Sequence, residues 1–110
     1  MDITIRKENS AAVLSLSGRM DAVNAPDFDK HISELLVEGQ KKVLIELSGL
    51  QYVSSAGLRS FLSAAKQLKA ASGAIAFAAL QDTVLKVFQM SGFNTIFTVY
   101  PTAEEALKSF

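Results

Sequence analysis

Cysteine is absent from the 110 residues, and histidine occurs once, as His31. The first absence excludes a disulfide framework, a thiolate zinc site and a thiol nucleophile, and it agrees with a reducing compartment. The second leaves a serine nucleophile without an evident base, because His31 lies on the flank of an apolar helical stripe formed by Phe28, Ile32, Leu35 and Leu36. An excess of one charge is also missing. Eleven basic and eleven acidic residues cancel, with no block of like sign, so counterion-driven binding to nucleic acid is not expected. No apolar stretch approaches the ~20 residues of a membrane span, and Met1-Asp2-Ile3-Thr4-Ile5-Arg6-Lys7 lacks a secretory h-region. These features predict a cytoplasmic protein that neither inserts into a membrane nor binds nucleic acid, and whose partner is another protein.

What is present is enough for a core. With 49% hydrophobic and 20% charged residues, the chain is expected to form one domain over 1–110 without staples. Ile3 and Ile5 alternate with Thr4 and Arg6, and Val13, Leu14 and Leu16 follow the polar triplet Glu8-Asn9-Ser10, which predicts an antiparallel hairpin ended by Gly18. Asn24-Ala25-Pro26-Asp27 carries a cap, a first-turn proline and an acid suited to a helix start, and Gly39 is placed to stop that helix. Lys42-Val43-Leu44-Ile45-Glu46-Leu47 then reads as a buried strand, with Glu46 near its end, and the uncharged run Ala74-Ile75-Ala76-Phe77-Ala78 as another. Asp82 or Thr83 can open a third helix closed by Gly92, an edge strand at Thr98-Val99-Tyr100 meets Pro101, and Thr102-Ala103-Glu104-Glu105 has capping-box form. The expected fold is α/β, in the order β-β-α-β-α-β-α-β-α, a mixed sheet packed with about four helices.

The stretch Tyr52-Val53-Ser54-Ser55-Ala56-Gly57-Leu58 joins the central strand to a helix whose Leu58, Phe61, Leu62, Ala65 and Leu68 share one face. Either Ser54 or Ser55 can cap that helix, and a phosphate is electrostatically welcome at the same place. It is not a nucleophile elbow, because Val53-Ser54-Ser55-Ala56-Gly57 has only the second glycine of Gly-x-Ser-x-Gly. A phosphate loop of the form Gly-x-x-x-x-Gly-Lys-[Ser/Thr] does not occur. Asp21, Asp27, Asp29 and Glu34 are scattered rather than spaced as metal ligands, and only Glu46 and Asp21 are candidates for a phosphoaspartate pocket. No catalytic constellation survives, so neither an enzyme nor a metal protein is expected, and a protein that presents a surface remains.

At the level of whole motifs, Leu44 through Leu58, Leu-Ile-Glu-Leu-Ser-Gly-Leu-Gln-Tyr-Val-Ser-Ser-Ala-Gly-Leu, resembles the signature of anti-sigma factor antagonists, the STAS domain family. Gly18-Arg19-Met20-Asp21 is similar to that family's motif before the first helix, and Ser91-Gly92-Phe93-Asn94-Thr95-Ile96-Phe97 with Glu104-Glu105-Ala106-Leu107 to its C-terminal pattern. The resemblance implies partner switching. The unphosphorylated domain would bind an anti-sigma factor that is also a serine kinase, phosphorylation would reverse the capture, and a serine phosphatase would reset it. It places the acceptor on Ser55, with Ser54 as second choice where the family often has Asp. Asp21, Ser54, Ala56, Gly57 and Arg59 would form the partner footprint, Gly57 by letting the partner backbone approach. No cofactor is implied for the domain itself, since ATP and Mg would be carried by the kinase. Members of the family also act as non-phosphorylated adaptors in signalling scaffolds or lipid-transport assemblies, which is the alternative function.

Overall fold

A computed structural model describes residues 1–110. The strands are β1 (Asp2–Glu8), β2 (Ala11–Met20), β3 (Lys42–Val53), β4 (Ala74–Ala78) and β5 (Val99–Tyr100), and the helices are α1 (Ala25–Val37), α2 (Ser55–Ala70), α3 (Asp82–Ser91), α4 (Phe93–Ile96) and α5 (Ala103–Ser109). They form one mixed sheet in the order β1-β2-β3-β4-β5. Only β1 and β2 are antiparallel. Their hairpin turns through Asn9 and Ser10, both left-handed at φ 51° and 67°, the primed geometry whose twist suits flanking strands. Every later connection is a crossover carried by one or two helices.

Alternation along the strands decides which side each residue covers. Ala12, Leu14 and Leu16 of β2, Val43, Ile45 and Leu47 of β3 and Phe77 of β4 face the helices α1, α2 and α3 in the main core. The opposite residues Val13, Leu44, Ala76 and Ala78 form a smaller cluster closed by Ala106 of α5. The end of the β4 run, Ala76 to Ala78, is thus covered on both faces, as its composition predicts, whereas Ala74 is exposed and Ile75 half-buried. Beyond α5 the second face is polar, with Thr4, Ser15, Ser17, Glu46 and Ser48 around a shallow cleft. In the main core Phe61 of α2 meets Phe28, Phe77 and Phe88 edge-on, with ring centroids 5.3, 5.2 and 6.1 Å away.

Several local expectations need correction. The central strand runs past Glu46 to Val53, and β2 runs past Gly18 to Met20, because the two strands bend together through register shifts between Ser15 and Ser17 and between Gly18 and Arg19. Gly49 permits that bend, since a Cβ there would lie 2.8 Å from the Cβ of Ser17. Gly18 occupies the bend at φ +90° rather than ending a strand. Glu46 is accordingly mid-strand, its carboxylate accepting from the Ser48 N–H at 3.1 Å. Asn24 precedes α1 without capping it through its side chain. Of the two residues expected to open α3, Asp82 does so, with Gln81 before it, while Thr83 donates from its hydroxyl to the Gln51 carbonyl at 3.1 Å. A single turn, α4, adds a fifth helix before the edge strand, which starts at Val99 rather than Thr98.

Candidate functional site

The C-terminal ends of β2 and β3 carry the site. Met20 and Val53 are paired, and the Ser54 N–H donates to the Met20 carbonyl at 2.8 Å, so the two chains leave the sheet side by side. After β2 the chain is held by a compact polar loop. Asp21 accepts from the N–H groups of Val23 (3.0 Å) and Asn24 (3.2 Å), while Asn24 accepts from the Asp21 N–H (2.8 Å) and donates to the Arg19 carbonyl (2.8 Å). Asp21, half-buried, therefore shapes the loop that stands beside the start of α2.

The adjacent hydroxyls have different situations. Ser54 is extended (φ −86°, ψ 174°) and half-buried, and its Oγ accepts from the Gly57 N–H at 3.3 Å as the cap of α2. Ser55 is the first helical residue, exposed, with no side-chain hydrogen bond. The Leu58 N–H reaches the Ser54 carbonyl at 2.9 Å, which leaves the N–H groups of Ser55 and Ala56 open to a solvent-side acceptor.

Gly57 is buried, and the reason for a glycine there points inward. A Cβ would lie 2.6 Å from Val53 Cγ2 and 3.1 Å from Met20 Cγ, at the junction of both strands with α2. Gly57→Ala is therefore expected to cost about 1–3 kcal/mol by overpacking, measured as a lower urea midpoint at unchanged slope. Ala56 and Arg59 do reach the surface. With Ala22, Pro26 and Asp29 they line an open groove of about 430 Å³ between the first turns of α1 and α2. Arg59 is exposed and takes part in none of the ion pairs, which join Arg6 to Glu8, Lys7 to Glu38 and His31 to Asp27.

Two exposed residues that sequence reasoning missed lie close in the chain to this surface. Val23, in the loop after β2, is 88% exposed, and Tyr52 is 40% exposed with the Arg19 guanidinium 4.1 Å above its ring. The signal for Val23 was available in the chain: an apolar residue between Asp21 and Asn24 that belongs to neither the strand period nor the helical stripe.

The model of the STAS domain family matches residues 2–106. This chain belongs to the STAS domain family. A STAS relative from Bordetella bronchiseptica, BtrV, which bears the name of an anti-sigma factor antagonist, is 34% identical over 110 residues, covering 100% of this chain and 95% of that one. A crystal structure described as an anti-sigma factor antagonist from Thermotoga maritima superposes with a TM-score of 0.92 at 21% identity, covering 97% of this STAS domain and 92% of that chain. The phosphorylated form of the Bacillus cell fate determinant SpoIIAA superposes with a TM-score of 0.74 at 23% identity, over 98% of each chain. At those identities the structural likeness is one of fold. The five-stranded mixed sheet with helices on it is the STAS fold, and no helix is long and apolar enough to cross a membrane.

Proposed function

We infer that this STAS domain is an anti-sigma factor antagonist controlled by phosphorylation of Ser55. The observation that carries the reading is the division of labour between neighbouring hydroxyls. Ser54 is committed to capping α2, whereas Ser55 is exposed and unbonded on the same turn. A kinase can take Ser55 without uncapping the helix, and modification of Ser54 would forfeit a cap worth about 1 kcal/mol. The 34% identity with BtrV, which bears the name of an anti-sigma factor antagonist, supports the antagonist part of this reading.

In this mechanism the unphosphorylated domain docks an anti-sigma factor on the α2 entrance. Arg59 supplies an unpaired cation, Val23 and Ala56 supply apolar contact, and Asp21 and Ser54 hold the surface in shape. Gly57 contributes from beneath by its close packing. The partner is also the serine kinase and carries the ATP and Mg, and a separate phosphatase restores the free hydroxyl. Phosphate adds about −1.5 to −2 charges at the helix entrance, where the dipole and the open N–H groups of Ser55 and Ala56 accept it without rearranging the fold. The partner, by contrast, must desolvate that anion.

The test is to isolate the anti-sigma factor that the unphosphorylated protein retains from its own cell extract, add ATP and Mg, and map phosphate by mass spectrometry. Phosphate on Ser55 and release of the complex are expected. Phosphate confined to another residue, or a complex that survives labelling of Ser55, would reject the mechanism.

A further inference from the structure

The outer edge of β4 is only half covered. β5 pairs with it at two positions, Phe77 with Val99 and Ala78 with Tyr100. Along a strand, backbone polar groups point alternately to the two sides. The Ala74 N–H donates toward β3, to the Lys41 carbonyl at 2.7 Å, whereas those of Phe77 and Ala79 donate toward β5, to the carbonyls of Thr98 (3.1 Å) and Tyr100 (3.0 Å). Ile75 has the parity of Phe77. Its N–H and C=O therefore face the open edge, where the chain has turned away into α4.

Beside this edge, between the C-terminal half of α2 and α4, runs an apolar groove of about 420 Å³. Leu62, Ala65, Ile75 and Phe97 line it, and Ile96 on its wall is 60% exposed. Lys66 and Lys69 also line it, both exposed and both outside every ion pair. Each feature makes a separate demand. The edge takes an extended backbone, the groove takes apolar side chains at alternate positions, and the lysines take carboxylates.

We propose that this edge binds an extended acidic peptide segment of a partner protein as an added strand, with its apolar side chains in the groove and its carboxylates on Lys66 and Lys69. A second copy of this chain fits less well, because edge-to-edge pairing would bring the same lysines together. Lysines guard an edge against neutral or basic strands, and they select acidic ones. The surface lies on the C-terminal half of α2, away from Ser55 on its first turn, so its occupancy does not depend on the phosphorylation state.

The probe is a fluorescein-labelled peptide alternating glutamate with valine and leucine, titrated into the full chain at low salt. Saturable binding is expected, with amide shifts at Ile75, Ile96 and Thr98 and slowed exchange of the Ile75 amide. Lys66→Glu combined with Lys69→Glu should weaken it about tenfold or more, with only a small drop in the thermal melt, both residues being exposed and Lys69 lying in the last turn of α2. A peptide with lysine in place of glutamate should not bind. Equal binding of that peptide, an unaltered affinity in the charge-reversed protein, no response at Ile75, or protection of Ile75 by self-association in the absence of peptide would each overturn the proposal.

Discussion

Phosphorylated protein is expected to bind its anti-sigma factor about 100-fold more weakly than the free form, the equivalent of ~3 kcal/mol for desolvating the new anion. Ser55→Asp, with about half the charge and no tetrahedral oxygens, should lose about tenfold, and Ser55→Ala less than about threefold. Thermal midpoints of all three should coincide within about 2 °C, because Ser55 is exposed and makes no side-chain hydrogen bond to lose. Calorimetric titration with the purified partner reads the affinities, and a parallel melt separates loss of binding from loss of fold. The neighbouring hydroxyl should behave in the opposite way. Ser54→Ala removes the acceptor of the Gly57 N–H, so it lowers stability by about 1 kcal/mol before it affects recognition. A Ser55→Asp protein that binds as tightly as the wild type would instead assign the domain to the non-phosphorylated adaptors.

The largest expected loss of stability is at Phe61. The ring is fully buried and meets three other aromatic rings, contributed by α1, β4 and α3. Phe61→Ala removes those edge contacts and leaves a cavity that elements fixed by the sheet cannot close, so a loss of about 3–5 kcal/mol is expected. A domain of this size has roughly 5–15 kcal/mol in total, and the variant should unfold at a much lower urea concentration. Val37→Ala, at a side chain 89% exposed on α1, is the matched control and should change stability by less than about 0.5 kcal/mol. A Phe61→Ala protein within 1 kcal/mol of wild type would show that the aromatic cluster is dispensable. Because Phe61 lies on the helix that begins at Ser55, the same substitution should also weaken partner binding, through fraying of α2.

Apart from the single turn α4, the element order was legible because the periods are clean. Alternation in β1, the uncharged run of β4 and the stripe of α2 each have one reading. The ends of β2 and β3 were not legible, because Gly18 and Gly49 look like terminators when each strand is read alone. Only pairing shows that they serve a shared bend, with Gly49 making room for Ser17. The site was half legible for a related reason. Two hydroxyls at a helix start can be recognised from the chain, but which one caps depends on the backbone angles of Ser54. Arg59 was named from the chain, but its freedom from ion pairs is a property of the folded surface, whereas Val23 carried a readable signal as an apolar residue outside both periods. For Gly57, a small residue at a helix start allows either an approach from outside or packing from within, and the positions of Val53 and Met20 show the latter.

The hydrogen bond from the Ser54 N–H to the Met20 carbonyl also bears on biosynthesis. It joins the end of β2 to the start of α2 across all of α1 and β3, so the docking surface forms only after a long loop has closed. A nascent chain still on the ribosome can expose Ser55 and yet lack the surface around it. On the proposed mechanism, a copy that ends before Ser54 lacks this closure and would present no docking surface to the partner.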